Sequence, residues 1–126
     1  MPKTSNEVCT EALTLIGVVA VEEAATAYDS ARAKSHMDAI FAHLSDVKDL
    51  ALQYTVETVP DEVFLPFAYA IAGSVAGSYG RAQRAAEVAA NINPRKTLYE
   101  IGIDGLCERE ARMLTHENHT VYAEYF

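Results

Sequence analysis

Small and apolar residues recur along this chain at helical spacing. From Ala33 they run Ala33, Met37, Ile40, Leu44, Val47 and Ala51, with Phe41 widening the stripe. That spacing predicts a long second helix, with Thr26 as its N-cap and Lys34/Asp38 as a charge pair off the apolar face. Ahead of it, Thr4-Ser5-Asn6-Glu7 has the form of a capping box. Val8, Ala12, Leu15 and Ile16 mark one face of the first helix, and Gly17 ends it where a left-handed residue is needed. Residues 18–25 read as a connector carrying Glu22 and Glu23.

The third helix is apolar on every side. Pro60, Asp61 and Glu62 form its start, with the acids at the positive end of the helix dipole. From Val63 to Gly80 the chain then carries no charge. Phe64, Phe67, Ala68, Ile71, Ala72, Val75 and Tyr79 recur at helical spacing, and Val63, Leu65, Tyr69, Ala70 and Ala76 fill the other faces. Such a helix must be surrounded, by its own fold or by neighbouring copies. Pro66 lacks a donor, so a bend or a restart is expected there. Gly73 and Gly77 are spaced for close approach of another helix. The run is about as long as a membrane span, roughly 18 residues. Pro66, the glycines, two serines and two tyrosines, without flanking basic anchors, favour a buried helix.

Between the second and third helices, Leu52, Tyr54 and Val56 alternate with polar residues, which is a strand pattern without an evident partner. Residues 81–92 read as a fourth helix with a thin face of Ala85, Val88, Ala89 and Ile92, stopped by Asn93-Pro94. Thr97-Leu-Tyr-Glu100 is a second capping box. It starts a fifth helix that Gly102 and Gly105 weaken, with a break expected near Asp104-Gly105. The segment Thr120–Phe126 alternates again and ends in aromatics. The pattern as a whole predicts an all-α fold, a bundle of four to five helices with an extended arm after helix two and an extended C-terminal tail. The helical domain is placed at 1–115 and the tail at 116–126.

At 126 residues, half of them hydrophobic, the chain is one globular domain. Its net charge of −8 argues against a dedicated nucleic-acid binder. Met1-Pro2-Lys3 leads straight into a polar helix start, with no signal peptide expected. Cys9 and Cys107 match no metal or redox spacing and are expected as buried free thiols. Neither His116/His119 nor His36/His43 is joined by further ligands, so no metal or other cofactor is expected. There is no nucleophile elbow, phosphate loop or zinc-protease motif. The carboxylate pairs fall at helix starts or on solvent faces, and an enzyme is not expected. The apolar helix, the strand-like arm and the aromatic end fit a subunit completed by assembly. Leu52, Tyr54, Val56, Phe64 and Phe67 are the expected contacts between copies.

Several segments together resemble the small helical head-to-tail adaptor (connector) proteins of tailed bacteriophages. They are the Ala12-Leu-x-Leu-Ile-Gly17-Val element, the long second helix, the Val59-Pro-Asp-Glu-Val-Phe-Leu-Pro-Phe-Ala68 entry, the Ala72–Gly80 end of helix three and the Glu124-Tyr-Phe126 finish. The likeness covers roughly residues 8–80 and the tail. It implies a homo-oligomeric ring, commonly of twelve copies, beneath the portal vertex of a virion assembled in the host cytoplasm. The implied partners are the portal protein and a downstream tail or stopper protein. DNA is met only as it passes through the channel, and no membrane is involved. On that reading Val121, Tyr122, Tyr125 and Phe126 dock to the portal, while Glu22, Glu23, Asp46 and Asp49 line the channel. The alternative expectation is a soluble helical domain that binds a small ligand or a regulatory partner.

Overall fold

The computed structural model describes the backbone of residues 2–20, 23–47, 52 and 54–125, and the side chains of these except 47 and 112–125. It is an all-α bundle: α1 (Ser5–Leu15), α2 (Ala27–Ala42), α3 (Asp61–Val75), α4 (Ala82–Ile92) and α5 (Leu98–Tyr125). A π-helical turn, His43–Val47, extends α2, and a 3-10 turn, Ala76–Tyr79, extends α3.

The helix ends follow their local chemistry. Thr4 accepts from the Glu7 amide while the Glu7 side chain reaches back to the Thr4 amide. Thr26 caps α2 through the Asp29 amide at 3.2 Å, and Thr97 and Glu100 form the second capping box. Gly17 follows α1 with φ 76°, and Val18 N–H donates to the Leu13 carbonyl at 3.0 Å, satisfying a helix-end acceptor.

α3 is the centre of the bundle. Val63, Phe67, Ala68, Ala70, Ile71, Ala72 and Val75 are buried, and α1, α2 and α5 all pack on it, α5 most extensively. α1 contributes Val8, Cys9, Ala12, Leu13 and Ile16; α2 contributes Ala33, Met37 and Ile40, with Leu44 following in the π turn. Of the bend or restart expected at Pro66, the restart does not occur, and the expected break near Gly105 does not occur either. Both positions lie at one helix contact. Gly102 sits against the Ala70 amide and the Pro66 carbonyl, and Gly105 sits against the Pro66 ring. A Cβ at Gly102 would lie 2.4 Å from Ala70 N, so the glycine is where the two helices touch. Gly73 meets the Tyr99 backbone in the same manner, whereas Gly77 faces open space.

The arm after helix two differs from its expectation. Its described residues form no strand and do not leave the bundle: Tyr54 is buried, and Leu52 and Val56 are half-buried against the core. Thr55–Thr58 makes a turn, with Thr58 N–H donating to the Thr55 carbonyl at 3.1 Å. Val59 then pairs with Lys3 in a single antiparallel bridge, with N–H···O distances of 2.7 and 2.9 Å. The alternating apolar positions cover the side of the bundle instead of building a ladder.

The C-terminal segment also differs. α5 continues through residue 116 to Tyr125 in place of an extended tail. No glycine or proline follows Gly105 to interrupt it, and Leu98, Ile103 and Leu106 anchor its first turns. Among the described residues no helix is long and apolar enough to cross a membrane.

Candidate functional site

The expected contact residues divide by burial. Tyr54 and Phe67 belong to this chain's own core and are not a free face, while Leu52, Val56 and Phe64 are half-buried. The side chains of Val121, Tyr122 and Tyr125, and Phe126 altogether, lie outside the described residues. So do Glu22 and Asp49, whereas Glu23 and Asp46 are exposed.

Two polar networks were not read from the sequence. In the first, Arg109 is buried against α3: its Nε donates to Glu62 Oε1 and its Nη1 to Glu110 Oε1, each at 2.8 Å. Burial works against its charge, but the two carboxylates more than offset this and hold the guanidinium above its ordinary range. Its Cζ lies 5.5 Å from the Tyr54 ring centroid, and Tyr54 makes an edge contact with Phe41 at 6.0 Å. Burial, then the nearby Glu110, pushes the Tyr54 hydroxyl up to about 12, and its oxygen has no hydrogen-bond partner among the described residues. This network clamps Tyr54 and α3 to α5. The signal was present in the 103–106–109–110 spacing, which continues the buried stripe through two charged residues. In the second network, Tyr79 donates to Asp29 at 2.8 Å, and burial followed by that bond pushes its hydroxyl up to about 12. Arg32 lies over the Tyr79 ring, and His36 Nδ1 meets Ser74 Oγ at 2.6 Å, tying α2 to the end of α3.

Glu57 takes the Ser5 amide at 3.0 Å and the Ser5 hydroxyl at 2.7 Å. These bonds lower its carboxyl pKa and place a second anion at the start of α1. Cys9 is buried, which pushes its thiol up to about 12, and Cys107 is half-buried. Among the described residues no group of three His, Cys, Asp or Glu side chains is gathered as for a metal ion.

Two grooves open at opposite ends of α3. One, of about 600 Å³, runs between the end of α3, α4 and the start of α5, lined by Gly73, Ala86, Ala90, Pro94 and Tyr99 among others. The other, of about 560 Å³, lies between α1 and the following connector, with Glu7, Glu11 and Glu23 around Ala25 and Phe64. Both are open surface features. No protein-family model, curated protein or solved structure matches the chain.

Proposed function

We propose that this chain is a structural virion protein, a head-to-tail adaptor. In this reading, copies form a ring under the portal, extend the DNA channel and carry the platform for tail attachment. The observation that carries the reading is the ordered set of segments Ala12–Val18, Val59–Ala68 and Ala72–Gly80, which resembles those proteins and supplies the end of α1 and nearly all of α3. The likeness therefore falls on the residues that build the bundle's centre. The net charge of −8 suits a conduit, because like charge keeps DNA from adhering to the wall. Glu22, Glu23, Asp46 and Asp49 are the proposed lumen residues, and Val121–Phe126, on or next to the last turn of α5, the proposed portal contact.

Co-sedimentation of the purified chain with the portal protein of its own particle tests this. A stoichiometric complex is expected, and two species sedimenting independently would refute it. One observation favours a second reading, a ligand- or regulator-binding domain: the groove beside α4 has the volume of a small-molecule site. A stable monomer that binds a compound there, and does not bind portal, would establish it.

A further inference from the structure

Charge is distributed unevenly over this acidic chain. Residues 81–96 hold four cations, Arg81, Arg84, Arg95 and Lys96, against the single acid Glu87; their net charge is +3 in a chain totalling −8. Lys96 is engaged by Asp104, but Arg81, Arg84 and Arg95 are exposed and form no ion pair among the described residues. On α4, Arg84, Val88 and Ile92 follow one another at i,i+4, with Arg81 one turn before Arg84. Ile92 is 47% exposed, one of few large apolar side chains on the described surface. The outer edge of α4 is therefore a short stripe of two exposed arginines, net +1 with Glu87 over residues 81–92, ending in an uncovered apolar residue.

Its counterpart lies at the other end of α3. Glu7 and Glu11 are one turn apart on α1 and share a groove with Glu23 and the half-buried Phe64. Lys3 is 3.8 Å from Glu7, while Glu11 and Glu23 form no ion pair among the described residues. Phe64 is in the first turn of α3 and Gly73 in its last, about 13 Å apart along the axis. The two surfaces are thus separate on one chain, opposite in charge, and alike in pairing two charges one helical turn apart with an apolar neighbour.

We propose that the Arg81–Ile92 face of α4 docks into the Glu7/Glu11/Glu23 groove of a second copy of this chain. The contact joins two different patches, so each added copy presents one free patch of each kind until a ring closes. This inference rests on the ring reading above and names the surfaces that make the ring. Electrostatic complementarity of this kind fixes register and partner choice.

The test is a charge swap read by sedimentation velocity over a concentration series at low and high salt, with helicity and melting temperature followed for each variant. Arg84→Glu and Glu11→Lys should each weaken self-association by about tenfold or more, because each sets like charges opposite one another. The Arg84→Glu/Glu11→Lys double variant should recover most of the lost affinity, and added salt should weaken the wild-type contact. If a single variant fails to fold, the Arg81→Glu/Glu23→Lys pair repeats the test away from the α1 capping box. Wild-type rings with unaltered affinity in both single variants would overturn this interface and leave the ring reading standing. Wild-type protein that stays monomeric at every concentration would overturn self-docking, and addition of the chain to portal-bearing particles then tests the adaptor reading separately. Loss of binding to duplex DNA in Arg84→Glu, with self-association unchanged, would instead identify the stripe as a nucleic-acid contact.

Discussion

Gly102→Ala tests how α3 and α5 are held together. The added methyl would lie 2.4 Å from Ala70 N, 2.5 Å from the Pro66 carbonyl oxygen and 2.8 Å from Ala70 Cα. All three are backbone atoms of α3, so no rotamer change relieves the overlap. The helices must separate by about 1 Å, enough to forfeit a quarter to a half of the contact energy along the seam. Overpacking of this kind costs about 1–3 kcal/mol, and the backbone origin of the clash places it at the upper end. Alanine returns about 1 kcal/mol in helix propensity. The expected net loss is about 2 kcal/mol, a drop in melting temperature of roughly 8 °C for a domain of this size. Gly77→Ala is the matched control: among the described residues nothing lies within 4 Å of its added Cβ, so it should be neutral or stabilising by up to about 1 kcal/mol. Urea unfolding and thermal melts followed by circular dichroism measure both. A Gly102→Ala variant as stable as wild type, or a Gly77→Ala variant that loses more, would refute the packing described for these helices.

Tyr54→Phe removes a buried hydroxyl that has no partner among the described residues, so stability should be unchanged or rise by up to about 1 kcal/mol; a clear loss in the same urea series would show that the hydroxyl is satisfied. Glu57→Gln should destabilise the fold at neutral pH. The carboxyl is lowered from 4.5 in the folded chain, so its contribution is complete above that value and is lost as pH falls through the folded value. The stability gap between wild type and variant should therefore close in acid, and a gap independent of pH would contradict the Ser5 contact. Deleting residues 121–126 should leave a folded helical protein that no longer binds portal. Undiminished portal affinity after the deletion would move the docking role elsewhere, first to the exposed part of the α3 face.

The helix ends and the burial of α3 were legible because they depend on neighbours in sequence. Thr4, Thr26 and Thr97 cap their helices through residues three positions away, and Gly17 turns the chain with its own φ. Features whose meaning depends on a distant partner were misread. Pro66, Gly102 and Gly105 look like helix breakers singly, yet they form one close helix crossing. Tyr54 looks like a strand residue, yet it fills the space beneath Arg109, whose own burial is hidden by the flanking acids Glu108 and Glu110. Val59, just after the arm, pairs with Lys3 near the start of the sequence. The acidic groove was not legible at all. Glu7, Glu11 and Glu23 share a wall only after α1 and its connector fold beside Phe64.

Negative-stain electron microscopy of portal-bearing capsids, before and after addition of the purified chain, tests the adaptor reading most directly. A ring of added density at the portal vertex, with a channel on its axis, is the expected result. Vertices unchanged at saturating protein, with the chain folded and free in solution, would contradict it.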